Sequence, residues 1–115
     1  MIKLENTENL TGVSIAEIIM ALNFNEKINI LDSYSELRKG KTKPDKTNYY
    51  YDHTKNIRKT VVRELRKSGN GYIYVGYLEK YKDKADSGGF INIDKHIRNE
   101  IEFRKLIEEV IVSFE

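Results

Sequence analysis

The sequence predicts a small α+β domain with three N-terminal helices, a β-hairpin and a long C-terminal helix. Apolar residues recur at helical spacing up to about residue 67 and again over residues 95–114. Between these regions, residues 72–78 and 90–93 are rich in aromatic and β-branched side chains, which is typical of strands. The 115 residues are enough for one domain with its own core, so we predict a single domain over residues 1–115.

The first two predicted helices have recognisable start and stop signals. Ser14 can cap the first helix, with Glu17 at the capping-box spacing, and we expect this helix to end near Asn23. Asn25 can cap the second helix, which we expect to continue until Gly40, since glycine commonly follows a helix C-terminus. Both segments place apolar residues on one side, so both should pack against the core.

A third helix is predicted over about residues 54–67, after a basic loop at residues 40–53. Apolar residues recur every four positions in this helix and would form a narrow stripe: Ile57, Val61 and Leu65. The opposite side of the helix would be strongly basic. The tyrosines at 49–51, near the end of the loop, are also compatible with a short strand.

The predicted hairpin and last helix complete the domain. The strands at 72–78 and 90–93 flank a charged, glycine-ended connection at 82–89, which we expect to form the hairpin tip. The helix over about residues 95–114, for which Asp94 is a plausible cap, has an apolar side that is wide for the surface of a small domain. It either closes the core or pairs with a second copy. The seam of such a homodimer, through residues 95–114, would contain Ile101, Ile107, Val110, Ile111 and Phe114.

Positive charge is concentrated in the middle of the chain. The formal net charge is only +2, but residues 38–67 contain eleven Lys or Arg against three Asp or Glu. Residues 1–37 and 68–115 are both net acidic. A basic block of this size presents a local positive field to a polyanion, and phosphate backbone is the commonest such partner. We therefore predict a nucleic-acid partner, with an ordinary solvated basic surface as the alternative.

The order of elements resembles that of winged helix-turn-helix DNA-binding domains. The resemblance covers residues 14–115 and rests on the sequence of helices and strands and on the placement of charge. It implies a transcriptional regulator that binds duplex DNA, with the third helix in the major groove and the hairpin along the backbone. The turn before the third helix usually has three or four residues, whereas here residues 40–53 intervene.

The resemblance also implies which residues contact DNA. The third helix would supply the groove-facing residues Lys55, Asn56, Arg58, Lys59, Arg63 and Arg66, and the hairpin, or wing, would supply Lys80, Lys82 and Lys84. We add Lys67 and the loop lysines Lys39, Lys41, Lys43 and Lys46 as further phosphate contacts. Arginine and asparagine can read base edges, whereas lysine mostly meets phosphate. DNA is the favoured partner over RNA.

Two alternatives to duplex binding remain open. Seven of the eight tyrosines fall between residues 49 and 81, beside or within the basic block. Basic residues interleaved with rings suit single-stranded nucleic acid, in which bases stack on aromatic side chains, although Tyr72 and Tyr74 are more simply expected to pack the sheet. Tyrosine is also common in protein–protein hot spots. The alternative prediction is therefore a protein-interaction module, such as a phage or mobile-element accessory protein that inhibits a host complex.

The sequence predicts no enzyme, no cofactor and no metal site. It has two histidines, no cysteine and no phosphate-binding glycine loop. Acidic residues near the hairpin alternate with lysines and do not resemble the carboxylate cluster that a magnesium-dependent nuclease needs. No apolar run reaches the roughly 20 residues needed to cross a bilayer, and the N-terminus lacks a signal-peptide pattern. We therefore predict a cytoplasmic protein without membrane contact. Its high content of Lys, Ile, Asn and Tyr, which AT-rich codons encode, indicates a bacterial or phage source.

Overall fold

Five strands and two helices make up the part of the chain that the computed structural model describes, residues 22–115. The strands are β1 (Arg38–Lys43), β2 (Lys46–Tyr50), β3 (Thr60–Arg66), β4 (Tyr72–Tyr74) and β5 (Phe90–Asn92). The helices are α1 (Phe24–Asp32) and α2 (Glu100–Phe114), and 3₁₀ turns at Glu79–Tyr81 and Ile93–Lys95 lie on either side of β5. Each strand pairs antiparallel with the next one in sequence, so the sheet is a meander.

The core lies between one face of this sheet and the two helices. Tyr49, Val62, Ile73 and Ile91 pair across successive strands, so their side chains share a face, and each is at most 2% exposed. Six side chains of α2 are buried in the same core: Phe103, Leu106, Ile107, Val110, Ile111 and Phe114. Full burial of one large apolar side chain contributes about 1.5–3 kcal/mol, so α2 is a main source of stability.

Helix α1 is joined to the rest of the molecule by a buried lysine. A capping box starts the helix, because the side chains of Asn23 and Glu26 each accept the backbone N–H of the other residue at 2.8 Å. In the next turn, Lys27 is fully buried. Its ammonium donates to the Gly69 carbonyl at 2.6 Å and to the Asp94 carboxylate at 2.5 Å. Lys27 thus connects α1 to the β3–β4 turn and to the 3₁₀ turn after β5.

The prediction of a third helix over residues 54–67 is wrong. Residues 54–59 form a loop, and β3 follows. Ile57, the first residue of the predicted apolar stripe, is fully exposed, whereas Val61 and Val62 are both buried. The pairing of β2 with β3 has two irregularities, which break the strict alternation of a regular strand. Because alternation is broken, the buried positions of β3 follow a spacing that a helix would also produce.

The predicted second helix and basic loop also differ from the structure. The cap of α1 is Asn23 rather than Asn25, and the helix ends at Asp32. Residues 38–40, where this helix was predicted to end, belong to β1, and much of the predicted loop forms the β1–β2 hairpin. The strand alternative is confirmed for Tyr49 and Tyr50. Nearly every side chain of β1 is exposed, so only pairing with β2 identifies it as a strand.

Three N-terminal helices therefore do not fit this protein, and the winged-helix-like fold class is wrong. The first predicted helix, from Ser14, lies outside the described residues. Within residues 22–115, the chain instead forms an antiparallel sheet that includes most of the basic segment, one short helix and one C-terminal helix. The composition remains α+β.

The hairpin and the last helix agree with the sequence in position and differ in extent. β4 pairs antiparallel with β5, but β4 ends at Tyr74 rather than at residue 78. α2 begins at Glu100, capped by Asn99 rather than by Asp94. Four of the five residues of the predicted dimer seam are at most 5% exposed in the core of the single chain: Ile107, Val110, Ile111 and Phe114. Neither helix within residues 22–115 is long and apolar enough to cross a membrane.

Candidate nucleic-acid interface

The sheet face opposite the helices combines arginines with aromatic rings. On β2, Lys46, Asn48 and Tyr50 alternate with Thr47 and Tyr49, which face the core side. Strand pairing then sets further arginines and rings beside this row, and the loop before β3 adds one more arginine. We call this surface the arginine–aromatic face and define it by Arg38, Tyr50, Arg58, Arg63, Tyr72, Tyr74 and Phe90.

Each arginine of the arginine–aromatic face lies over a ring. The guanidinium carbon stands 4.5 Å from the ring centroid for Arg38 over Tyr50, 4.6 Å for Arg58 over Tyr74, and 4.0 Å for Arg63 over Phe90. Phe90 is only 2% exposed although it lies outside the main core, because Arg58, Arg63 and Tyr74 cover it. Exposed cation–π contacts contribute about 0.5–1 kcal/mol each and hold the guanidinium groups in place on the surface.

Two open grooves adjoin each other on this side of the molecule. The first, of about 920 Å³, is lined by loop residues 55–60 together with Arg38 and Tyr50. The second, of about 590 Å³, lies along β4 and its connection to β5. Both grooves include Arg58 and Tyr77, and Tyr77 is 41% exposed. A charged group and an accessible ring therefore stand where the two grooves meet.

Three basic residues lie in register across the hairpin end of the sheet. Lys43 is opposite Lys46, and Lys46 is opposite Arg66 on the next strand. Like charges placed directly opposite each other destabilise a sheet. Glu64, 3.4 Å from Arg66, offsets part of this repulsion. A bound anion would offset more of it.

The basic residues divide into those that have an acidic partner and those that have none. Arg38 donates two hydrogen bonds to the Asp52 carboxylate, and these bonds hold the pKa of Asp52 below its usual value. Within residues 22–115, by contrast, no carboxylate lies within ion-pair distance of Lys55, Arg58 or Lys59. Exposed ion pairs contribute only about 0–1 kcal/mol, so even Arg38 can exchange its partner for a phosphate at small cost.

The structure brings one group of the predicted contact residues together. Lys55, Asn56, Arg58 and Lys59 all line the first groove, although on a loop and not on a helix, and Lys82 lines the second. The amide nitrogen of Asn56 donates to the Thr54 hydroxyl at 2.9 Å and lies 3.4 Å from the Phe114 carbonyl oxygen. These bonds occupy the amide and anchor the loop to the end of α2.

Other predicted contacts are separated from the grooves. Arg63 lies on the arginine–aromatic face, 3.9 Å from Asp86, while Lys43, Lys46 and Arg66 stand at the hairpin end. Lys41 and Lys67 are on the helix side, where they line a small cavity beside α1. Lys84 is exposed on the β4–β5 connection and lines neither groove.

Sequence reasoning missed several residues of this surface. Arg38, Tyr50, Tyr77 and Phe90 were not among the predicted contacts. Tyr74 was expected to pack the sheet, and its ring contacts with Phe90 and Phe114 confirm this. The one signal for them was the interleaving of tyrosines with basic residues. That signal locates the region but does not say which rings lie under arginines, since this depends on strand register.

The turn before β5 holds Phe90 in position through an aspartate. The Asp86 carboxylate accepts the backbone N–H groups of Phe90 at 2.9 Å and Gly88 at 2.8 Å. These hydrogen bonds, the one from Phe90 foremost, lower the pKa of Asp86, and the nearby Arg63 charge adds to the effect. The aspartate therefore stabilises the turn more strongly in its ionised form than when protonated.

Asp86→Asn is expected to reduce stability at neutral pH and to lose this effect in acid. Because the folded-state pKa of Asp86 is depressed, its contribution is present above the ordinary aspartate pKa of about 3.9 and disappears as the pH falls through the folded value. Urea unfolding of both proteins between neutral and strongly acidic pH measures this difference. A gap between wild type and variant that stays constant down to pH 2 would contradict the assignment.

Comparison of the chain with known proteins identifies no relative. No protein-family model, no curated protein and no solved structure matches the chain. Among the residues that the structure describes, no group of three or more His, Asp or Glu side chains is placed to hold a metal ion.

Proposed function

We propose that this protein binds nucleic acid through the arginine–aromatic face and its two grooves, and that a single-stranded segment is the preferred form. The observation that supports this most directly is the cluster of Lys55, Arg58 and Lys59. These three exposed cations have no carboxylate partner within residues 22–115, and they stand beside the exposed ring of Tyr77. Cations that lack a carboxylate partner and lie beside rings match a ligand that has both phosphates and bases.

The dimensions of the surface suit several phosphates. From Lys46 at the hairpin end to Tyr50 at the first groove, β2 advances four residues, or about 13 Å. A strand with duplex-like spacing carries one phosphate per about 3.4 Å, so this length faces at most about four phosphates, and fewer where the bases are unstacked. Both ends of the path are basic, with Lys43, Lys46 and Arg66 at one end and the loop cations at the other.

The support for a single strand comes from the surfaces available for stacking. Guanidinium planes and aromatic rings both stack on unpaired bases, and Arg58 and Tyr77 offer one of each where the grooves meet. The duplex mode predicted from the sequence required a helix at residues 54–67 to enter the major groove. A loop and a strand occupy that segment, so no groove-reading helix is available there.

Lys55→Ala combined with Lys59→Ala should weaken binding of a single-stranded DNA oligonucleotide at least about tenfold at moderate salt. Each lost phosphate contact should also reduce the slope of log affinity against log salt by about 0.7 for the single strand. Fluorescence anisotropy over a salt series, with single-stranded DNA, the matching duplex and single-stranded RNA as ligands, measures affinity, slope and preference together.

A control with the same loss of charge keeps this result specific. Lys95→Ala with Arg98→Ala also removes two exposed cations, and neither lines a groove of the arginine–aromatic face. We expect wild-type affinity and slope from this control. Equal weakening by both double variants would show a non-specific effect of net charge, and a wild-type protein that binds none of the ligands at low salt would refute the proposal.

A protein-interaction role is the second candidate, and one observation favours it. Ile57 is fully exposed on the rim of the first groove, next to the 41% exposed ring of Tyr77. An apolar side chain in that position suits a protein surface better than a phosphate backbone. If the anisotropy series shows no nucleic-acid binding, Ile57 and Tyr77 become the residues to vary in a search for a protein partner.

A further inference from the structure

The outer side of α2 has a row of exposed residues that the core does not use. Ile101 is 80% exposed and Val112 is 67% exposed, although both are apolar. Lys105 and Glu108 lie between them and are also exposed. The spacing of these four residues is four, three and four, which is the spacing of a seam between two packed helices. We call these four residues the outer seam, and it extends about 17 Å along the helix.

An open groove runs beside the outer seam. It has a volume of about 830 Å³ and lies between α2 and residues 78–80. Its apolar lining comes from Leu78, Ile101 and Val112, and charged side chains surround these. A helix laid along the outer seam would cover both exposed apolar residues. The dimensions therefore suit a helical occupant.

The outer seam is complementary to itself when reversed. In an antiparallel pair with its two-fold axis between residues 106 and 107, Ile101 of one copy faces Val112 of the other. The same operation sets Lys105 against Glu108 twice, so each apolar layer meets an apolar layer and each cation meets a carboxylate. A parallel pair would instead face lysine with lysine. Self-complementarity of this kind is what a two-fold symmetric interface requires.

The two charged residues at the centre of the outer seam, Lys105 and Glu108, can each form an ion pair with a second copy. No carboxylate within residues 22–115 lies within ion-pair distance of Lys105. One carboxylate oxygen of Glu108 accepts the Tyr34 hydroxyl at 2.7 Å, and the other oxygen has no hydrogen-bond donor among the described residues. An ammonium from a second copy can therefore bind without breaking the contact with Tyr34.

We propose that two copies of this chain associate through an antiparallel pairing of the outer side of α2. The interface differs from the dimer seam predicted from the sequence, because four of those residues are in the core and only Ile101 is shared. A single helix seam covers less than the roughly 1,200 Å² typical of stable complexes, so association depends on concentration. Two linked copies would each present an arginine–aromatic face, which raises the apparent affinity for a long strand.

A charge-swap experiment tests this pairing by sedimentation velocity over a concentration series, without nucleic acid. Wild type should show a monomer–dimer equilibrium. Lys105→Glu alone and Glu108→Lys alone each place like charges in the centre of the seam and should weaken association at least about tenfold. An equimolar mixture of the two single variants should form a heterodimer, and the double variant Lys105→Glu/Glu108→Lys should again form a homodimer.

Two controls separate the seam from other effects. Lys95→Glu changes charge identically at an exposed position off the outer seam and should leave association unchanged. Tyr34→Phe removes the hydrogen bond to Glu108 but keeps the seam, so it should dimerise like wild type. A wild type that is monomeric at every concentration would overturn the proposal. A mixture of single variants that fails to associate while wild type dimerises would overturn the antiparallel pairing.

Discussion

Replacing Asp94 with alanine should lower the free energy of unfolding by about 3 kcal/mol. Lys27 is fully buried, and the Asp94 carboxylate at 2.5 Å is its charged partner. Without that carboxylate, the Gly69 carbonyl is the one hydrogen-bond acceptor left to the ammonium within residues 22–115, so the charge remains buried without a charged partner there. This loss lies at the low end of the roughly 3–5 kcal/mol that follows removal of one partner from a buried ion pair. The reason is that the Asp94 side chain is 39% exposed, which lets water reach the site. Urea unfolding measures the change through the midpoint at unchanged slope.

A double variant shows whether the buried charge causes this loss. Lys27→Met keeps a long apolar stem and removes the ammonium, so Lys27→Met/Asp94→Ala should be more stable than Asp94→Ala alone by at least about 1 kcal/mol. Asp83→Ala removes an exposed acid in the β4–β5 connection and should change stability by less than about 0.5 kcal/mol. An Asp94→Ala protein that unfolds at the wild-type urea concentration would show that the ion pair contributes nothing to α1 docking.

Gly89→Ala is expected to destabilise the protein by about 2 kcal/mol or more. The backbone of Gly89 has φ +89°, a conformation that residues with a side chain rarely adopt. A Cβ at this position would also lie 2.5 Å from Cε1 of the Tyr74 ring. Because Arg58 lies over that ring, displacement of Tyr74 should weaken nucleic-acid binding as well as folding. Chemical unfolding and the anisotropy assay measure the two effects separately.

The neighbouring glycine provides the matched control. A Cβ at Gly88 would meet Asp86 Oδ1 at 3.4 Å and Phe90 Cδ2 at 3.7 Å, which are ordinary contacts. Gly88→Ala should therefore stay within about 0.5 kcal/mol of wild type and bind normally. If the two alanine variants have the same stability, the close approach of Gly89 to Tyr74 does not matter for folding.

The parts of the fold that the sequence predicted depend on residues close together in the chain. The apolar period of α2 and the aromatic and β-branched residues of β4 and β5 are local patterns, so the sequence located all three elements. The boundaries were less accurate, because the caps Asn23 and Asn99 compete with nearby residues of equal capping propensity. Caps are selected by the completed structure as much as by the residue type.

The helix prediction for residues 54–67 was wrong because the apolar pattern of this segment fits both a helix and a strand. Thr60, Val61 and Val62 form a β-branched run that favours a strand, whereas the four-residue recurrence favours a helix. Pairing with β2 decides between them, because β2 supplies a hydrogen-bonding neighbour along residues 60–66. Loop residue Ile57 is fully exposed, which removes the residue that completed the helical stripe.

The sequence by itself determined where the positive charge lies, that no disulfide can form, and that the last helix has a wide apolar side. Only the tertiary structure decided that this side of the helix is core, that Ile101 and Val112 remain outside, and that arginines cover the rings of the sheet. The physical reason is that charge and composition are properties of the chain alone. The direction in which a side chain points depends on strand register and on packing between segments far apart in sequence, as in the contact of Arg58 with Phe90.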